Sequence, residues 1–405
     1  MSSRVYSVFV KLNVLSVFVV ASGVGGCGSG SGGTAATGGA TSSTGGTTGT
    51  TGGTTGTTVL QGVFAATGSM SVARVGHTAT LLGNGTVLVA GGTNTNSQIA
   101  SAELYDPLAG TFAATGSMSV ARVDHTATLL GNGKVLIAGG ADSIGVLASA
   151  ELYDPDAGTF TPTGSMTLGR FEHTATLLPG GQVLITGVGD GIGASASAEL
   201  YDPLAGTFAA TGNMIVAREG HTATLLGNGN VLIAGGQDST GNWVASGELY
   251  DPAAGRFTAT GSMITPREGH IAASLPNGKV LIAGGSERDS GNLASAELYD
   301  PAAGTFTATG DMTKKRGGGH RATLLGNGKL LIVGGGVGVC CGGYPDASAE
   351  LYDQSAGTFT ATFSMTAARM DHTATLLGNG TVLISGGTGR AGGEPVDLAS
   401  AELYQ

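Results

Sequence analysis

Seven histidines, seven arginines and seven glutamates recur along this chain in a fixed order. The histidines are His77, His125, His173, His221, His270, His320 and His372. Just before them stand Arg74, Arg122, Arg170, Arg218, Arg267, Arg316 and Arg369. Further on come Glu103, Glu151, Glu199, Glu248, Glu297, Glu350 and Glu402. Imidazoles can ligate metals or move protons, and arginine can hold a carboxylate through two bonds. A catalytic site needs one such set, so residues present in every unit are expected to serve each unit. A buried carboxylate needs a partner, and the repeated arginine is the obvious one, so seven Arg–Glu pairs are expected. A ring of histidines is a poor metal site. Equivalent positions on packed sheets stand about 10 Å apart, whereas zinc ligands converge to about 2 Å from the ion.

The elements that must position these residues follow from the repeat. The spacings between histidines are 48, 48, 48, 49, 50 and 52. Each unit divides into strand-length pieces without helical periodicity. In the second unit His125–Leu130 is the first piece, and Gly131-Asn132-Gly133 makes a tight turn. Val135–Ala138 is the second piece and ends at the pair Gly139-Gly140. A variable loop leads to Ala150–Tyr153. Asp154-Pro155-Asp156-Ala157-Gly158 turns into the piece that carries Phe160. Units of this size imply a circular array of small sheets, an all-β propeller. An unpaired fourth strand at Gln61–Phe64 and an unpaired third strand at Ala401–Tyr404 are expected to complete one sheet from both ends, removing two exposed edges.

The pattern resembles the kelch repeat. Arg-x-x-His, the glycine pair, Glu-Leu-Tyr-Asp and Gly-x-Phe before Met carry the likeness over residues 59–405. Phe stands where kelch units often have Trp, and the third unit departs at Gly187-Val188. The resemblance implies a seven-bladed kelch-type β-propeller and a ligand face on the side of the variable loops. The galactose oxidase family shares this domain. Its copper site uses two histidines, two tyrosines and a cysteine crosslinked to one tyrosine. Tyr344 is the one tyrosine after residue 58 outside the repeated set, and no second such Tyr or His pair stands out. No cofactor is therefore expected.

The N-terminal region has a different composition. Arg4 and Lys11 precede the apolar stretch Leu12–Val20, which reads as an export signal over residues 1–26. Val24-Gly25-Gly26-Cys27 resembles a bacterial lipobox, which implies lipidation of Cys27. Residues 28–58 are nearly all Gly, Thr, Ser and Ala, with little to bury, and read as a flexible tether. The net charge is -10, and removing residues 1–26 with Arg4 and Lys11 makes it -12. That balance argues against nucleic acid as a partner.

Ligand specificity is expected where the units differ. The loop after the second strand and the link into the next blade share one face, while the uniform turns occupy the other. Candidates on the variable face are Asp238, Trp243, Glu287, Arg288, Asp289, Lys314, Lys315, Tyr344, Arg390 and Glu394. Arg321, Asp397 and the acidic residues Asp124, Glu172, Glu219, Glu268 and Asp371 lie on or near it. Trp243 is the single tryptophan, and an exposed Trp among charges suits a sugar face or a peptide side chain. Cys340 and Cys341 are candidates for a vicinal disulfide outside the cytoplasm. These features support an exported, lipid-anchored protein of the cell envelope that binds a protein or glycan at the surface. An envelope carbohydrate-active enzyme, a sugar mutarotase or a galactose-oxidase-like protein, is the alternative.

Overall fold

The computed structural model describes residues 62–187, 193–338 and 343–405. The expected export signal, the tether, Cys27, Gln61, Val188, Cys340 and Cys341 lie outside the described residues.

Seven four-stranded antiparallel sheets form the seven blades of a β-propeller. No α-helix occurs among the described residues. In blade two the strands are Thr126–Leu129, Val135–Ala138, Ala150–Asp154 and Thr159–Pro162, paired in that order. Blade seven takes its first three strands from Thr373–Leu376, Val382–Ser385 and Ala401–Tyr404. Its fourth is Phe64–Ala66, from the opposite end of the fold, with Phe64 paired to Tyr404 and Ala66 to Glu402. The expected closure is thus present, shifted two to three residues past Gln61. The first strands of successive blades lie against one another around the whole ring, blade seven against blade one included.

Local chemistry explains each blade. Second strands such as Val135–Ala138 are buried throughout, as apolar runs packed on both faces must be. In the Asp154 turn, the side-chain Oδ1 accepts from the amides of Asp156 and Ala157 at 3.0 and 3.2 Å, and Gly158 takes φ 65°. At the glycine pair of blade one, a Cβ on Gly91 would meet the Arg122 carbonyl at 2.7 Å, and one on Gly92 the Val75 carbonyl at 2.7 Å. Neither position has room for a side chain, and both require positive φ, 64° and 90°.

Cores form between blades rather than within them. Leu82, Leu88, Ala90 and Ala102 of blade one pack against Met118, Val135, Ile137 and Tyr153 at blade two. Tyr153 meets Phe160 on the next strand, ring centroids 4.8 Å apart. Its hydroxyl bonds Thr115 Oγ1 at 2.9 Å, so the buried tyrosine keeps its polar tip satisfied.

Candidate functional site

The repeated charged residues are structural. All seven arginines are fully buried, and each bonds its glutamate at 2.8–3.1 Å. Arg218 shows the full pattern. It donates to the carbonyls of Gly235 and Ser246 at 2.8 and 2.9 Å, to Ser246 Oγ at 2.7 Å and to Glu248 Oε1 at 2.8 Å. Glu248 also accepts the amides of Ile215 and Val216 at 2.6 and 3.0 Å. Each pair therefore clamps the incoming inter-blade link onto the third strand.

The histidines are equally committed. They are 0–6% exposed. His125 Nε2 meets Thr78 Oγ1 of the preceding blade at 3.0 Å, and His173, His221, His270 and His77 meet Thr126, Thr174, Thr222 and Thr373 at 2.9–3.3 Å. Desolvation, with the nearby arginine charge, pushes His125 and His173 down to about 3, so the imidazoles are neutral. Two positions depart. Ile271 replaces the threonine in blade five, and His320 Nε2 donates to the Ala283 carbonyl at 3.3 Å instead. Arg321 replaces it in blade six, and His372, fully buried, is left with neither ring nitrogen bonded. The threonine after five of the seven histidines was the signal for this ring, and sequence reasoning passed over it.

Asp124, Glu172 and Asp371 precede their histidines in left-handed backbone, φ 53°, 49° and 53°, where other blades place Gly76, Gly220, Gly269 and Gly319. Their amides bond the equivalent residue of the preceding blade: Asp124 to Gly76 at 3.0 Å, Glu172 to Asp124 at 3.1 Å, Asp371 to Gly319 at 3.0 Å. Among the described residues, no three His, Cys, Asp or Glu side chains are arranged to hold a metal ion.

The variable loops and inter-blade links share one face, tied by bridges such as Val75 with Thr93 and Glu219 with Gln237. The candidate residues gather there in separate groups, not in one pocket. Arg288 of blade five lies over the Trp243 ring of blade four, 6.0 Å from its centroid, and reaches Asn242 at 3.4 Å. Trp243 is half-buried, not exposed as expected, because its loop folds back to pair with Gln237. Its Nε1 is buried without a partner. Asp238 is engaged within its own loop. Its carboxylate accepts from Thr240, side chain and amide, and from the Asn242 amide, which holds its pKa down to about 2. A second cross-blade pair places Arg390 of blade seven 4.1 Å from the centroid of the exposed Tyr344 ring of blade six. Lys314 bonds Asp346 at 3.3 Å. Glu287 is half-buried, while Asp289, Lys315 and Glu394 stand exposed.

One open cleft of about 330 Å³ lies on this face, lined by Ala73, Asn94, Thr95, Asn96, Pro395, Val396 and Asp397. It joins the loop of blade one to the hairpin Thr388–Asp397 of blade seven. Desolvation raises the Asp397 carboxyl, partly offset by the Thr95 amide.

No family model matches the chain, and no curated protein matches it. Solved structures do. One is a fungal alcohol oxidase of the AA5 family in complex with copper, 20% identical, with a TM-score of 0.70 over 85% of this chain and 76% of that one. Another is YjhT, 15% identical, with a TM-score of 0.57 over 73% of this chain and 99% of that one. At such identities the likeness establishes a shared seven-bladed propeller fold.

Proposed function

We propose that this protein is an exported, lipid-anchored kelch-repeat propeller that binds a protein or glycan through its variable face without catalysing a reaction. The observation that carries the reading is the pair of cation–aromatic contacts, Arg288 on Trp243 and Arg390 on Tyr344. Both join loops of neighbouring blades, and both interrupt an otherwise uniform repeat. Aromatic and arginine side chains are the residues that most often anchor recognition surfaces. The anchor rests on the Cys27 lipobox, and a Cys27→Ser variant is expected to leave the membrane fraction.

The test is capture from solubilised envelope of the source cell on full-length protein. A partner held by wild type and by Lys134→Ser, on the opposite face, but lost by Trp243→Ala/Arg288→Ala supports the reading. Equal capture by all three proteins sinks it.

An enzymatic reading draws support from the likeness to an alcohol oxidase that holds copper. The described residues do not fit such a centre. The histidines are buried, and six of them use Nε2 for hydrogen bonds within the ring. The exposed Tyr344 is covered by Arg390. Copper titration with an assay for alcohol oxidation separates the two readings: turnover that tracks bound copper would establish the enzyme.

A further inference from the structure

We propose that the cleft between the loops of blades seven and one is a binding site for a neutral, hydroxyl-bearing ligand the size of one sugar residue. This deepens the binding reading above and rests on it. The cleft's volume, about 330 Å³, falls at the low end of the range for small-molecule sites, about 300–1,000 Å³.

Its lining specifies the chemistry. Asp397 and the side-chain amides of Asn94 and Asn96 supply the polar groups, and Ala73, Pro395 and Val396 supply an apolar wall. The lining contains one carboxylate and no cation, so an anionic ligand would meet repulsion without compensation. Asn94 Oδ1 already accepts the amides of Asn96 and Ser97 at 2.9 and 3.2 Å, which leaves its NH2 group to donate. Asp397, half-buried and short of solvation, gains from hydroxyl donors that replace lost water. An NH2 donor and a carboxylate acceptor beside an apolar surface match the alternating hydroxyls and C–H faces of a sugar ring. Both walls come from variable loops, and among the described residues no other blade seam carries this set.

The experiment is a titration of isotope-labelled full-length protein with methyl glucoside, methyl mannoside and N-acetylglucosamine, beside glucuronate and lysine as charged counterparts. At least one neutral compound is expected to shift the amide signals of residues 94–96 and 395–397. Asp397→Leu, and separately the exposed Asn96→Ala, should weaken that binding by at least about tenfold. The proposal is overturned if no neutral compound shifts these signals, if glucuronate or lysine binds more tightly, or if both variants bind as wild type. Envelope capture that still depends on Trp243 and Arg288 would then leave the broader reading standing. Sugar binding without that dependence would overturn the placement of recognition at Trp243 and Arg288 and leave the cleft.

Discussion

Arg218 and Arg288 are the same residue type in two opposite settings. Arg218 is wholly buried, bonded to Glu248, two carbonyls and a serine, in a pattern repeated around the ring. Arg288 stands in solvent over Trp243, in a loop whose sequence differs from those of the other blades. The interior therefore spends charge on holding links between blades in place. The loop face spends it on contacts that the fold does not require. Stability experiments should separate the two regions sharply.

The largest effect is expected from removing the strand that closes the ring. Truncation through Ala66 deletes the fourth strand of blade seven and exposes the edge of Ala401–Tyr404. Because the cores form between blades, the loss should propagate. A chain starting at residue 67 is expected to lose its cooperative thermal transition by circular dichroism, whereas truncation of residues 1–58 should leave it unchanged. A native-like transition in the shorter chain would show that closure is not what stabilises the ring.

Acid comes next. Burial holds His77, His125, His173, His221 and His320 at about 3, and His270 and His372 well below their usual value. The unfolded chain binds these protons near pH 6.5 and the folded one does not, so stability falls as pH drops from about 6.5 toward 3. All seven histidines act in the same direction, so their losses add. The urea midpoint should drop steeply below pH 6.5 and change little between pH 7 and 8. A flat profile from pH 7 to 4 would mean that the imidazoles are not held neutral.

Substituting the two arginines tests the contrast itself. Arg218→Ala strands Glu248 as a buried charge and should cost about 3–5 kcal/mol. Arg288→Ala should change stability by under about 0.5 kcal/mol, as surface substitutions do. Equal losses in urea denaturation would dissolve the distinction between clamp and loop.

Much of the interior was legible in the sequence because each blade solves the same packing problem. Arg218, His221 and Glu248 recur because every blade needs them, and their spacing alone located the links and strands. The closing strand was legible for a related reason: a fourth strand without its first three, at one end, had an obvious place at the other. The loop face has no such redundancy. Trp243 read as exposed because nothing in its neighbours' types announces that the loop turns back onto Gln237. Asp238 read as a ligand group, and nothing local announced that its carboxylate also caps its own loop. Asp397 and Asn94 are about 300 residues apart, and only the closure of blade seven against blade one brings them to one cleft. Loop geometry of this kind depends on non-local contacts, which local propensity and periodicity do not carry.

A smaller gain is expected at one of the two places where the interior breaks its own rule. Five blades hold the next histidine through a threonine, and blade six has Arg321 at that position. The consequence is His372, buried with both nitrogens unbonded. Restoring the rule with Arg321→Thr should supply the missing bond and raise stability by about 1 kcal/mol. Ile271→Thr is the control. His320 has already found the Ala283 carbonyl at 3.3 Å, so a threonine there only exchanges one bond for another. The gain in urea midpoint should therefore be larger for Arg321→Thr than for Ile271→Thr. A loss of stability on Arg321→Thr would mean that the arginine itself holds the ring, as the threonine does in five other blades.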